Sequence, residues 1–259
     1  MDLELGGRTA LVTGSYRGTG RAIAGVLASE GAHVIVHGFE AGQSDAAVDE
    51  IRARGESAEG VSADICSDQG ARELASVADR VDVLVNNFGT PGGSNWAQID
   101  AWAEEWNTNV LASVRTTQQC MGAMRDRGWG RIIFLGTVGT HQPNVRNAGY
   151  YGAKTALPTV VRTLAMELRG SGVTANLVSP GMIATPEVQA MVTRRAQRDG
   201  EGDSWEQAER WALNKSMPNL TERIAAPEDI GRVVAFVASQ AAWHITGADI
   251  AVDGGARDA

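Results

Sequence analysis

Lysine is nearly missing from this chain: of 23 basic residues only Lys154 and Lys215 are lysines, and the other 21 are arginines. A residue type used so sparingly carries information where it stands. Cysteine is as scarce. Cys66 and Cys120 are isolated, without CxxC or Cys/His ligand spacing, which excludes a disulfide framework and a zinc site and suits a reducing cytoplasm. His33, His37, His141 and His244 are dispersed, so no metal is expected and they read mainly as core or surface residues. No run of about 18 apolar residues occurs, and the start Met1-Asp2-Leu3-Glu4-Leu5 lacks a basic stretch followed by an apolar one, so no membrane span and no export signal are expected. Positive charge is also in deficit. A formal charge of −8 repels nucleic-acid backbones and anionic lipid surfaces, so neither is an expected partner.

What is present is an ordinary globular composition, 43% hydrophobic and 21% charged, with a rhythm of short β-branched runs and longer helical ones. Thr9 to Thr13, His33 to Val36, Gly60 to Ser62, Val81 to Val85, Arg131 to Leu135, Val173 to Val178 and Asp249 to Val252 read as seven strands. Helical stretches run from about Arg21 to Glu30 and from Asp45 to Arg54, and another opens at Pro227-Glu228-Asp229. The runs at Val81 and Arg131 are apolar almost throughout, as parallel strands covered on both faces must be. The pattern predicts an α/β fold: one doubly wound, Rossmann-type domain over residues 1–259, with a seven-stranded parallel sheet and helices on both faces. One stretch, 185–219, breaks the rhythm. It is polar, with Trp205 and Trp211 embedded, and reads as a substrate lid, the alternative being a surface insertion without a binding role.

Two motifs carry chemistry. Thr13-Gly14-Ser15-Tyr16-Arg17-Gly18-Thr19-Gly20 lies between a strand and a helix, where glycines allow a tight turn and backbone N–H groups meet a pyrophosphate at the positive helix end. Tyr150-Tyr151-Gly152-Ala153-Lys154 places a phenol and an ammonium at i and i+4, on one helix face. A positive charge beside a phenol favours phenolate and lowers its pKa toward working pH, which suits an acid/base tyrosine. Tyr151, three residues from Lys154, is the weaker candidate.

With these motifs in place the chain resembles the short-chain dehydrogenase/reductase family, of the type represented by 3-oxoacyl-carrier-protein reductases and sugar or polyol dehydrogenases. The family's TGxxxGxG is matched by Thr13 to Gly20, its NNAG by Asn86-Asn87-Phe88-Gly89, and its YxxxK by Tyr150 and Lys154. Its PGxxxT is matched by Pro180-Gly181-Met182-Ile183-Ala184-Thr185, and its terminal TG…VDGG by Thr246-Gly247 and Val252 to Gly255. The resemblance implies an NAD(P)-dependent oxidoreductase interconverting a carbonyl and a secondary alcohol. Tyr150 is then the general acid/base, Thr137 its hydroxyl partner where relatives carry serine, Lys154 the ligand of the nicotinamide ribose, and Asn109 the holder of a relay water, with Asn107 as fallback. Gly14, Ser15, Arg17, Gly18, Thr19, Gly20, Asp64, Ile65, Asn87, Gly89, Pro180, Gly181, Ile183 and Thr185, with Tyr150 and Lys154, are the implied cofactor residues. A non-catalytic NAD(P)-binding regulator on the same fold is the alternative function.

Three departures bear on the site. Phe88 stands where relatives carry alanine, and its ring should crowd the cofactor or reach toward substrate. Thr137 adds a methyl beside the carbonyl. Pro158 lacks the N–H that would bond the Lys154 carbonyl, so the helix should kink or loosen at its catalytic turn. Phe88, His141 and Tyr151, with Gln142 and the two lid tryptophans, suggest a pocket with aromatic walls for a small-molecule ketone or alcohol. Arg125, Arg127, Arg131 and Arg169 form a candidate basic patch for an acidic carrier protein, although a solvated helix end is the preferred reading. At the end of the second strand, Gly38 stands where NAD-selecting folds place a carboxylate, and Arg17 is placed to meet a 2′-phosphate, so NADP is expected over NAD. Relatives assemble through their long helices, and the apolar run Ala156 to Met166 suggests a homotetramer.

Overall fold

The strand at Thr9–Val12 (β1) is apolar on both sides because both sides are covered: Ala10 and Val12 enter one core, Leu11 the other. In the computed structural model, which describes residues 2–215 and 218–256, the same holds for the neighbouring central strands. β4 (Val83–Asn86), β5 (Gly130–Leu135) and β6 (Val173–Pro180) are buried at every residue. The edges differ. β3 (Ala58–Ser62) is buried only at Ala58 and β7 (Asp249–Val252) at no residue, and β2 (His33–Gly38) lies between β3 and β1.

All pairings are parallel and the order is β3-β2-β1-β4-β5-β6-β7. Each strand must therefore be joined to the next by a crossover over one face. Helices α1 (Gly18–Ser29) and α2 (Asp45–Ala53) follow β1 and β2, and the short α3 (Asp68–Glu73) and α4 (Ala75–Ala78) follow β3. Between β4 and β5 runs α5 (Ile99–Trp106), one π-helical turn at Asn107–Leu111, and α6 (Ala112–Arg127). Helix α7 (Ala148–Glu167) leads from β5 to β6. The order of strands reverses between β1 and β4, and such a reversal opens a crevice at the carboxyl ends of the two strands.

The seven predicted strands are all present, with shifts of a few residues at their ends, as at β3, which starts at Ala58 rather than Gly60. Helix α7 passes through Pro158 as one continuous helix, so no break accompanies the residue expected to loosen it. Pro158 is exposed, and buried Leu157 and Val161 on either side hold the helix to the sheet. Within the stretch 185–219 the chain forms α8 (Pro186–Arg198) and α9 (Trp205–Lys215), and residues 216 and 217 lie outside the described residues. Those two helices share a small core of Val192, Ala196, Ala208 and Ala212, closed by Ala184 and Ile224. Helix α10 (Pro227–Ala238) then packs along α1.

Candidate active site

The glycine turn sits at the reversal and is fastened from below. Ser15 is fully buried, its Oγ donating to the Val12 carbonyl at 2.7 Å and accepting the His37 N–H at 3.0 Å. Its own N–H bonds the His37 carbonyl, so Ser15 shapes the turn and does not reach the cleft. The Gly14 N–H is taken by His37 Nδ1 at 3.0 Å. A Cβ on Gly20 would fall 2.5 Å from Asn87 Nδ2 and 2.7 Å from the Gly14 carbonyl, which is why only glycine lets α1 start this close to the loop after β4. No side chain caps the first N–H groups of α1. They are left for an anionic ligand or solvent.

Above the turn lies a cleft of about 1180 Å³. Its walls include Gly14, Arg17, Gly18, Thr19, Gly20, Asn87, Gly89, Pro180, Gly181, Ile183 and Thr185 from the expected cofactor set, and Thr137 and Tyr150 from the catalytic one. Phe88, His141 and Tyr151, the expected substrate residues, line it too. Asp64 and Ile65 do not. Asp64 is exposed beyond the cleft, its carboxylate taking the Cys66 N–H at 3.1 Å, and Ile65 is buried in the core against Leu74 and Val77. Trp205 and Trp211 also turn away into the small core of α8 and α9, so that side of the cleft is made by Glu187, Val188, Met191 and Arg195 of α8 instead. The apolar needs of that two-helix core outweigh the cleft for two large rings.

Phe88 stays on the turn side of the cleft. Its ring packs against Phe39 at 4.6 Å, and a Cβ on Gly14 would meet it at 3.3 Å. Gly38 carries no carboxylate toward the cleft, and the space where a side chain would grow is taken by Gln43, 3.0 Å away, whose Oε1 accepts the Phe39 N–H. Arg17 reaches across the mouth to Glu187 at 3.8 Å, with both side chains largely exposed.

Lys154 is buried, and its Nζ donates to the Leu135 carbonyl at 2.8 Å, leaving two N–H groups. The π-helical turn brings Asn109 toward it. A Cβ on Gly89 would lie 2.7 Å from Asn109 Oδ1 and 2.8 Å from Lys154 Nζ, so these two atoms flank one point in front of the Gly89 backbone. Asn109 Oδ1 is buried and has no hydrogen-bond partner among the described residues. Asn107, the fallback, is elsewhere: its Nδ2 donates to the Cys66 carbonyl and its Oδ1 accepts from Arg115. An unpaired buried acceptor facing a buried ammonium with spare donors fits a ribose hydroxyl or an ordered water.

Thr137 ends the loop after β5 and caps a short 3₁₀ turn, its Oγ1 accepting the Gly139 N–H at 3.1 Å, which leaves its own proton free to donate. Tyr151 packs edge-on to Tyr150 at 5.2 Å, and its hydroxyl accepts from Asn144 at 3.3 Å. Burial lifts the Tyr150 phenol above its ordinary range, with smaller contributions from Tyr151 and Glu105. The sequence-based expectation is that Lys154 draws the phenol down; in the structure the causes of the shift are burial and its neighbours, and burial also pushes Lys154 down to about 8.

Glu105 was not legible as a site residue. It is 3% exposed, accepts the Gly92 N–H at 2.7 Å through Oε1, and accepts from Asn109 Nδ2 at 2.9 Å through Oε2. Its i, i+4 spacing to Asn109 was a usable signal. Of the four arginines considered as a carrier-protein patch, three are engaged and Arg169 is exposed. Arg125 pairs with Glu167, Arg127 bonds the Asp79 and Val81 carbonyls, and Arg131 is buried beneath Trp129 and bonded to Gln240. Among the described residues no group of three His, Cys, Asp or Glu gathers as metal ligands, and no helix is long and apolar enough to cross a membrane.

The short chain dehydrogenase family model matches residues 8–196. A 3-oxoacyl-[acyl-carrier-protein] reductase from Aquifex aeolicus is 32% identical over 262 residues, covering 98% of this chain and 99% of that one. L-Sorbose reductase from Gluconobacter frateurii, solved with NADPH and L-sorbose, superposes with a TM-score of 0.90 at 27% identity, with all of both chains covered. A 7α-hydroxysteroid dehydrogenase solved with NADH and 7-oxo glycochenodeoxycholic acid gives a TM-score of 0.86 at 27% identity, covering 98% of this chain and 96% of that one. The fold and the cleft at its strand reversal are those of a Rossmann-type oxidoreductase. The chain belongs to the short-chain dehydrogenase family.

Proposed function

We propose that this protein is an NADP(H)-dependent reductase of a small or medium ketone, with Tyr150 as the proton donor. The carrying observation is the buried Lys154, one turn from Tyr150 on α7, facing the unpaired Asn109 Oδ1 across Gly89. When bound, the nicotinamide cofactor supplies the hydride. The uncapped N–H groups of α1 would hold its pyrophosphate, Lys154 its ribose hydroxyls through the two N–H groups not used on Leu135, and Arg17 a 2′-phosphate.

Tyr150 and Thr137 both line the cleft and both can donate to one carbonyl oxygen. A phenol raised by burial is protonated at neutral pH, the form a reduction needs from its acid. As the proton leaves, the Lys154 ammonium stabilises the phenolate, and Asn109 Oδ1 offers the acceptor through which Lys154 and solvent water can restore that proton. Val188 and Met191 give the substrate an apolar wall, and His141 and Gln142 a polar rim.

NADP is favoured over NAD because no carboxylate stands at Gly38 to repel a 2′-phosphate, while the two solved neighbours divide between NADPH and NADH. Exposed Trp106, Leu111 and Met166 on the long helices support assembly as a homotetramer. The test is consumption of NADPH and of NADH with a panel of ketones, together with light scattering. No turnover with any carbonyl would overturn the activity, and a monomer at micromolar concentration would overturn the assembly.

A further inference from the structure

Glu105 has no cation within ion-pair range among the described residues, although a buried carboxylate is costly without compensation. Hydrogen bonds supply it. Oε1 holds the Gly92 N–H and Oε2 the Asn109 amide, and the Glu105 stem lies against the first turn of α7, where a Cβ on Gly149 would meet its Cβ and Cγ at 3.3 Å. One residue further is Tyr150.

The Asn109 Nδ2 donors face only acceptors: Glu105 Oε2, the Glu105 carbonyl at 3.0 Å and the Thr90 carbonyl at 3.1 Å. A flipped carboxamide would set Oδ1 against those oxygens and turn its N–H groups toward the Lys154 ammonium, which offers only donors. We propose that Glu105 is a positioning residue of the proton-transfer site, fixing the sense of the Asn109 carboxamide so that Oδ1 faces Lys154 and fastening the loop after β4 to the start of α7. The inference rests on the reading of Tyr150 as proton donor.

The negative charge has a second effect. Tyr151 at its side and Glu105 from α5 act on the Tyr150 phenol, with Lys154 one turn on along α7, and the carboxylate helps keep the phenol protonated.

Glu105→Gln keeps the shape but has one acceptor where two donors wait. The expected result is a fall in kcat of between about tenfold and a hundredfold, the scale of a misplaced catalytic group. NADPH binding, read by fluorescence, stays unchanged. The limb of kcat that falls with rising pH moves to lower pH. The ultraviolet tyrosinate difference spectrum, measured without cofactor, moves the same way, and this shift is absent when Tyr150→Phe is also present. Glu105→Asp, which keeps the charge but shortens the reach, returns the pH midpoint toward wild type without restoring kcat. An unchanged kcat and midpoint in Glu105→Gln would overturn the proposal, as would a lower kcat with an unmoved midpoint and spectrum, which marks a scaffold role alone. If Tyr150→Phe turns over like wild type, the assignment of the donor fails instead, whatever Glu105→Gln does.

Discussion

His37 Nδ1 accepts the Gly14 N–H at 3.0 Å while its Nε2 meets the Ala63 carbonyl at 3.0 Å, so one buried ring joins the glycine turn to the end of β3. That bonding requires the neutral tautomer with its proton on Nε2. Burial lowers the pKa to about 4 from an ordinary 6.5. The folded value is depressed, so the unfolded chain binds the proton first. The stability this neutral ring contributes is complete above pH 6.5 and is lost as pH falls toward 4, by roughly 3 kcal/mol for a single site. Thermal melts from pH 8 to 4 should show this loss, and His37→Asn, which keeps an acceptor for Gly14, should flatten it. An equal acid slope in both proteins would count against it.

The two neighbouring tyrosines separate by role. Tyr150→Phe should lower kcat by about 10²-fold or more with cofactor affinity little changed, the range for removing a positioned acid. Tyr151→Phe breaks only the bond from Asn144 and should alter KM at most. Exchange of these two behaviours would move the donor to Tyr151.

Thr137 uses one lone pair on the Gly139 N–H and keeps its proton. Thr137→Ser should stay active. Thr137→Ala should lose roughly 10²-fold in kcat, as when one positioned donor is removed, together with the cap of the 3₁₀ turn. Steady-state kinetics on the pair decide it, and equal rates would show that Thr137 is not Tyr150's partner.

Arg17 pairs with Glu187 at 3.8 Å and is the side chain proposed to hold a 2′-phosphate. Arg17→Ala should reduce the preference for NADPH over NADH by about ten- to a hundredfold in kcat/KM, the worth of one charge-assisted contact. The exposed Glu187 competes weakly for the same guanidinium, so Glu187→Gln should leave that preference the same or slightly greater. A wild type favouring NADH would refute this assignment.

Gly89→Ala places a methyl on the point flanked by Asn109 Oδ1 and Lys154 Nζ, at 2.7 and 2.8 Å. One or both groups must move. Turnover should fall by about 10²-fold, the cost of a displacement near 1 Å, while circular dichroism remains native. A fully active Gly89→Ala would show that nothing needs that space.

Periodicity made the sheet legible, because central strands such as β4 and β5 must be apolar on both faces whatever the protein does. Tyr150, Lys154 and the glycine turn were legible because helix spacing and turn chemistry are local. Asn109 was preferred to Asn107 on the resemblance alone, and what the sequence did not offer was their different surroundings: Asn109 is buried beside Gly89, while Asn107 is tied to Cys66 and Arg115. Glu105 was marked only by its i, i+4 spacing to Asn109, and that signal was weak because a carboxylate in a helix reads as a solvated face until its burial is known. Trp205 and Trp211 misled for the opposite reason: their size suggested a pocket wall, and their partners are Val192 and the alanines of their own two helices. The sign of the Tyr150 shift was out of reach too, since a nearby charge can be counted in sequence but burial cannot.

The private core of α8 and α9 makes the wall over the cleft a unit with an inside of its own. Val188 and Met191 line the cleft and also pack against this core, so a change of size at either is felt by Val192, Ala196, Ala208 and Ala212 behind them. The cleft wall and the helical pair behind it are therefore coupled as one piece, bounded by Thr185, which caps α8, and by the Ile183–Ala225 bridge.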